Sequence, residues 1–153
     1  ALIDIALKDK LTGKIKIIDI KTSTMGWNRY VLADENKQSQ ILLYKALYSK
    51  EYNVPLSQID VEFFILKRRL LEKVSFPQSR IQIFIPTNTS PVVKKSIKKF
   101  TMFVNECFTE DGEYITDASK YPKVPGKNKK HCKYCMHKKV NCDAKSDVKD
   151  DEY

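Results

Sequence analysis

Two aspartates and a lysine, Asp4, Asp19 and Lys21, are the side chains best placed along the sequence to act together on a substrate or a metal. They lie in two β-branched, apolar segments, residues 2–8 (LIDIALK) and 14–20 (KIKIIDI), with Lys21 following directly. Between them is a short turn-prone stretch, residues 9–13 (DKLTG). This pattern predicts a β-hairpin. With the turn centred between Leu11 and Thr12, Asp4 lies opposite Asp19. Cross-strand partners point to one face with Cβ atoms roughly 4.5–5.5 Å apart. Lys21, two residues beyond Asp19, emerges on that face as well. Adjacent carboxylates repel, and burying a charge without compensation is costly. A hard divalent cation, Mg²⁺ or Mn²⁺, resolves the conflict because it takes carboxylate oxygens. The alternative is an ordinary Asp–Lys pair at a solvated sheet edge.

A second pair sits downstream. Gln40 and Tyr44 are spaced i, i+4, so on a helix they share one face. An amide and a phenol so placed can bind a phosphate or position a substrate strand; a surface glutamine beside a half-buried tyrosine is the plainer alternative. A helix is expected there, capped at or near Asp34 and running to about Tyr52, because Ile41, Leu42, Tyr44, Ala46, Leu47 and Tyr48 keep near-helical spacing. Residues 25–28 read as a loop containing Gly26, and residues 53–57 as a turn around Pro55. Residues 59–67 (IDVEFFILK) predict a strand, buried through the continuous run 63–66, and residues 80–85 (RIQIFI) predict another. Ser90-Pro91 then opens a second helix to about Phe108, with Val93, Ile97, Phe100, Phe103, Val104 and Cys107 as its apolar stripe. The order ββ-α-ββ-α predicts an α/β domain with helices packed on a sheet.

Composition narrows the function classes. Over 153 residues, 28 Lys+Arg against 19 Asp+Glu leave a net charge of +9, which favours a polyanionic partner, nucleic acid before membrane. Only four glycines and six prolines exclude collagen-like and low-complexity readings. No apolar run approaches the ~18–20 residues of a membrane span. Three of the four cysteines, Cys132, Cys135 and Cys142, crowd together as C-x2-C-x6-C, a spacing that favours a metal or iron–sulfur site over a disulfide framework. Residues 120–139 around them carry eight lysines, two histidines and no acid, while residues 143–152 carry five acids against two lysines.

Asp4, the IIDIKTS run around Asp19 and Lys21, and the Q-x-x-x-Y at Gln40 and Tyr44 together resemble the PD-(D/E)XK nuclease superfamily, in its RecB-like branch. That branch holds RecB and AddB nuclease domains, CRISPR-associated exonucleases with cysteine clusters, and short stand-alone phage proteins, which this Lys-rich chain resembles most. The resemblance implies an α/β restriction-endonuclease-like core, a mixed β-sheet flanked by helices, with a C-terminal Cys-rich knuckle. It implies a Mg²⁺- or Mn²⁺-dependent deoxyribonuclease, an exonuclease in phage DNA recombination, repair or processing. Its partner would be single-stranded DNA or duplex ends, with no membrane, in the cytoplasm (the host's if viral). Asp4, Asp19 and the main-chain carbonyl of Ile20 would hold the metal. Lys21 would orient or activate the attacking water and stabilise charge on the phosphate, and Gln40 and Tyr44 would support the site and contact DNA. Thr22 and Ser23 can hydrogen-bond the scissile region or simply end the strand. Asp19 stands where many relatives have glutamate.

The nuclease core is expected over residues 1–118, and a basic Cys-containing segment with an acidic tail over 119–153. Cys132, Cys135 and Cys142 resemble the C-terminal trio of a [4Fe-4S] cluster; Zn²⁺ is the alternative, with His131 or His137 as fourth ligand. Cys107, on the apolar stripe, reads as a buried thiol. Relatives carry a helix before the hairpin, so the sequence is expected to be an N-terminally truncated piece. The competing reading is a non-catalytic nucleic-acid-binding module stabilised by a Cys-bound metal.

Overall fold

The computed structural model describes residues 2–117 and residue 119. Cys132, Cys135, Cys142, His131 and His137 lie outside the described residues. The chain divides into two compact units, Ala1–Asn105 and Glu106–Tyr153.

Strands β1 (Ile5–Lys8) and β2 (Ile15–Ser23) form the expected hairpin. Its turn is closed by Asp9, whose Oδ1 accepts from Leu11 N at 2.9 Å and Thr12 N at 2.7 Å. Asp9 N donates to Lys14 O at 2.8 Å, and Gly13 takes the left-handed backbone, φ +70°, that completes the reversal. This turn sets the register: Ile5 pairs with Ile18, Ala6 with Ile17, Leu7 with Lys16 and Lys8 with Ile15. Continued by one residue, it brings Asp4 to Asp19, as the spacing predicted.

A short helix α1 (Arg29–Leu32) and the long helix α2 (Glu35–Glu51) follow β2. Asp34 caps α2, its side chain accepting from Asn36 N. The helices form a crossover, so β3 (Ile59–Lys67) returns parallel to β2, from Ile15 beside Ile59 to Ser23 beside Lys67. β4 (Ile81–Phe84) then pairs antiparallel with β3, and the sheet order is β1-β2-β3-β4. Helix α3 (Ser90–Cys107) begins with Val93 N bonded to Thr89 O. The result is the expected mixed four-stranded sheet flanked by helices.

The core lies between the sheet and α2. Ile15 and Ile17 from β2, Ile59, Val61, Phe63 and Ile65 from β3, and Ile41 from α2 are its buried members. The run 63–66 is not buried throughout as expected: Phe63 and Ile65 point inward, Phe64 is half-buried and Leu66 exposed. Strand alternation decides this, because α2 covers only the face carrying the odd-numbered residues. The stripe on α3 is likewise only partly covered, with Val93 buried and Ile97 and Phe100 exposed. Cys107 is a free, partly buried cysteine. In the second unit, Phe108 bridges Tyr114 and their rings lie 4.9 Å apart.

The turn makes a pH-dependent prediction. The Thr12 N–H, then the Thr12 hydroxyl and the Leu11 N–H, hold the Asp9 carboxyl below its usual range. A depressed carboxylate contributes stability above its unfolded value, near 3.8, and loses it as pH falls through the folded one. In urea titrations, the gap in midpoint between the wild type and Asp9→Ala should be full at pH 7 and narrow on acidification below about pH 4. A gap unchanged by pH would remove Asp9 as the turn's clasp.

Candidate active site

The inward face of β2 runs Ile15, Ile17, Asp19, Lys21. The first two positions are apolar core, and the third is a carboxylate only 2% exposed. Its charge is met from its own strand: Lys21 Nζ lies 2.9 Å from Asp19 Oδ2. The ammonium is in turn aimed from α2, donating to Gln40 Oε1 at 2.7 Å. Gln40 Nε2 donates to Tyr44 Oη at 2.7 Å, one helical turn further on. Asp19, Lys21, Gln40 and Tyr44 thus form one chain of contacts between sheet and helix. Asp4 joins it from the hairpin edge, its Oδ2 accepting from Ile20 N at 2.8 Å. Asp4, Asp19, Lys21, Gln40 and Tyr44 are thus brought together, while Thr22 is exposed and Ser23 turns to the following loop.

Asp19 Oδ2 is buried, and despite the nearby ammonium it receives no hydrogen bond of acceptable geometry from any described residue. A buried carboxylate oxygen lacking a donor is a costly arrangement, and a hard cation satisfies it. Besides the Asp19 carboxylate, the neighbouring oxygens are the carbonyl of Ile20, next in the chain, and the Asp4 carboxylate, which the Ile20 N–H bond holds beside this stretch of β2. Among the described residues no group of three or more His, Cys, Asp or Glu side chains gathers to form a full cage. Two carboxylates with a carbonyl suit Mg²⁺ or Mn²⁺, which are commonly held by one or two carboxylates plus phosphate oxygens and water. The residues therefore fit such an ion.

The loop after β2 is fixed by Ser23 and by residues the sequence did not reveal. Ser23 Oγ donates to Gly26 O at 2.9 Å and accepts from Gly26 N at 3.2 Å, so Ser23 serves the turn. Gln82 on β4 clasps the peptide of Trp27, accepting from its N–H at 2.7 Å and donating to its C=O at 3.0 Å. The Trp27 ring packs 5.1 Å from Phe63. Only tertiary structure brings Gln82 to position 27, and a lone glutamine in a strand gives no warning of it. Lys45 was also missed: it sits one turn after Ile41 on the inward face of α2 and is buried. Its Nζ donates to Asn88 O at 3.1 Å and Asn88 Oδ1 at 2.6 Å. Burial lowers its pKa from the usual lysine range, and the charge of Asp60 opposes that shift. A lysine at an apolar heptad-like position was the available signal.

Gly26 is central to the clasp. Its φ is +100°, and a Cβ there would lie 2.7 Å from Gln82 Oε1, the atom that accepts from Trp27. Gly13, at φ +70°, has open space around it. Gly13→Ala should cost about 1–2 kcal/mol, the ordinary left-handed penalty. Gly26→Ala should cost on the order of 3 kcal/mol, because the clasp must also open. Denaturant midpoints of Gly26→Ala, Gln82→Ala and the double variant should be non-additive; additivity would dissociate Gly26 from Gln82.

The sequence model of the PD-(D/E)XK nuclease superfamily matches residues 1–142. No curated protein and no solved structure matches the chain.

Proposed function

The chain belongs to the PD-(D/E)XK nuclease superfamily, and we propose that it hydrolyses phosphodiester bonds in DNA with Mg²⁺ or Mn²⁺, acting as an exonuclease. The observation that carries the reading is Asp19 Oδ2, a buried carboxylate oxygen without a hydrogen-bond donor, beside Lys21 and one register step from the hairpin pairs that lead to Asp4. Asp4, Asp19 and the carbonyl of Ile20 would hold the metal. When bound, it supplies Lewis acidity and a water nucleophile available at neutral pH. Lys21 contributes a fixed positive charge where negative charge grows on the phosphate. Gln40 keeps that ammonium from swinging into solvent, and Tyr44 keeps Gln40 in place, which limits the reorganisation required during reaction.

We place the protein in the RecB-like branch, among stand-alone phage-type nucleases of DNA recombination, repair or processing, on the strength of the Asp4, Asp19-x-Lys21 and Gln40-x-x-x-Tyr44 set. The cysteine run Cys132, Cys135 and Cys142 belongs to the same reading as the seat of a [4Fe-4S] cluster or of Zn²⁺. Among the described residues no helix is long and apolar enough to cross a membrane.

The purified protein with Mn²⁺ or Mg²⁺ should release nucleotides from linear DNA and spare closed circles. Lys21→Ala should slow cleavage by about 10²–10³-fold, the usual loss when one preorganised donor is removed, and should leave DNA binding in place. Wild-type protein that leaves every DNA intact with either metal, yet binds it, would favour the binding-module reading instead. For the cysteines, iron and sulfide in the anaerobically purified protein, with visible absorption, would support the cluster; zinc alone would support the alternative.

A further inference from the structure

Arginine is used sparingly in this chain. Of its 28 basic residues only four are arginine: Arg29, Arg68, Arg69 and Arg80. All four are exposed, and all four lie in the two segments that leave the same end of the sheet. β2 and β3 run parallel, and their pairing continues past the strand ends, with Arg68 N bonded to Ser23 O at 2.9 Å and Arg69 N to Thr24 O at 2.8 Å. Arg68 Nη2 donates to Thr24 Oγ1 at 2.8 Å, and Arg80 Nη1 lies 3.4 Å from Arg68 O. Arg29 opens α1 just after the Trp27 peptide that Gln82 holds. A second glutamine clasp orders the β3–β4 connection: Gln78 accepts from Leu71 N at 2.7 Å and donates to Leu71 O at 2.8 Å.

The charge of this rim is not neutralised locally. Residues 21–33 contain no acid, and residues 67–80 contain only Glu72. Together the two segments carry seven cations, Lys21 among them. Among the described residues none of the four arginines has a carboxylate within ion-pair distance. On α3, by contrast, Lys95 and Lys99 both pair with Glu35. Thr24 lies three residues beyond Lys21, just past the end of β2, within about 10 Å at ~3.3 Å per residue. The rim therefore begins one short step from the reacting centre.

Aromatic side chains are interleaved with it. Tyr30 is 70% exposed, with the Arg29 guanidinium 4.8 Å from its ring centroid and Arg29 Nη2 donating to its hydroxyl at 2.7 Å. The guanidinium holds the ring in place while leaving most of it open. Phe76, in the β3–β4 connection, is 57% exposed. Fixed guanidinium groups fit phosphates in a bidentate way that lysine does not. Exposed rings among them accept unstacked bases, which duplex DNA does not offer.

We propose that Arg29, Tyr30, Arg68, Arg69 and Arg80 form a platform that binds single-stranded DNA and feeds it to the Asp19–Lys21 site. This rests on the nuclease reading above and narrows its substrate, single-stranded DNA or duplex ends, to a single strand held by these arginines through its phosphates and by a base stacked on Tyr30.

Binding can be measured apart from cleavage. The probe is a fluorescently labelled 20-nucleotide DNA strand, with the matching duplex as competitor, on the full chain carrying Lys21→Ala. The parent should prefer the single strand. Arg68→Ala/Arg69→Ala should weaken binding about tenfold or more at low salt and flatten the plot of log K against log [salt] by about 1.4, two phosphates at ~0.7 each. Arg68→Lys/Arg69→Lys should keep most of the slope, which separates lost charge from lost folding. Tyr30→Ala should weaken binding roughly five- to hundredfold without changing the slope. Lys94→Ala/Lys98→Ala, on α3, serves as the remote control and should change little. A parent slope that survives the arginine-to-alanine change, an equal loss from the α3 control, or a preference for duplex would overturn the platform. Cleavage that proceeds without any arginine dependence would reject the platform and leave the nuclease reading standing. Platform binding in a wild type that cuts nothing would do the reverse.

Discussion

A carboxylate buried among isoleucines is the constraint to which much of this structure responds. Asp19 occupies an inward position on β2 that the strand's alternation reserves for the core. An uncompensated charge there is unfavourable by several kcal/mol. The fold answers with Lys21, two residues on and facing the same way, and then holds Lys21 with Gln40. The compensation is incomplete, because Oδ2 still lacks a hydrogen bond. A fully satisfied ion pair would be a structural element; an unsatisfied one retains affinity for a further cation.

The remaining elements keep that buried carboxylate in register. The Asp9 turn fixes which residue faces which, and a slip of one position would send Asp4 to the other face of the sheet. The parallel β2–β3 pairing holds β2 from its second side, so the strand bearing Asp19 and Lys21 is central. Helix α2 does two jobs along its length. Ile41 and Leu42 close the core, while Gln40 and Tyr44 lie along an adjacent line and reach the site. Past Ser23 the same parallel pairing carries the chain into the arginine-bearing segments, so the candidate site and the rim share one end of the sheet. Ligand sites at the carboxyl ends of parallel strands are a general consequence of such sheets.

The hairpin register, α2 with its Asp34 cap and β3 were legible in the sequence because each is written locally: a turn flanked by alternation, a capping residue before a periodic run, a β-branched segment. The convergence of Asp4, Asp19 and Lys21 followed from counting across the turn, and Gln40 with Tyr44 from helical spacing. What could not be read was set by packing between distant segments. Gln82 reaches Trp27 across 55 positions of sequence, and Lys45 finds Asn88 across 43. The half-exposed character of residues 63–66 was hidden for the same reason. A continuous apolar run looks buried on both faces until one knows that α2 covers only one.

Whether the Asp19–Asp4 corner seats a cation can be read from the thermal midpoints of the metal-free wild type and Asp19→Asn as Mn²⁺ is added without DNA. A ligand that binds only the folded state stabilises it by about 2.7 kcal/mol at a hundredfold excess over its dissociation constant. The wild-type midpoint should therefore rise with Mn²⁺ and saturate, while that of Asp19→Asn stays flat. An equal rise in both proteins, or none in the wild type, would contradict the seat.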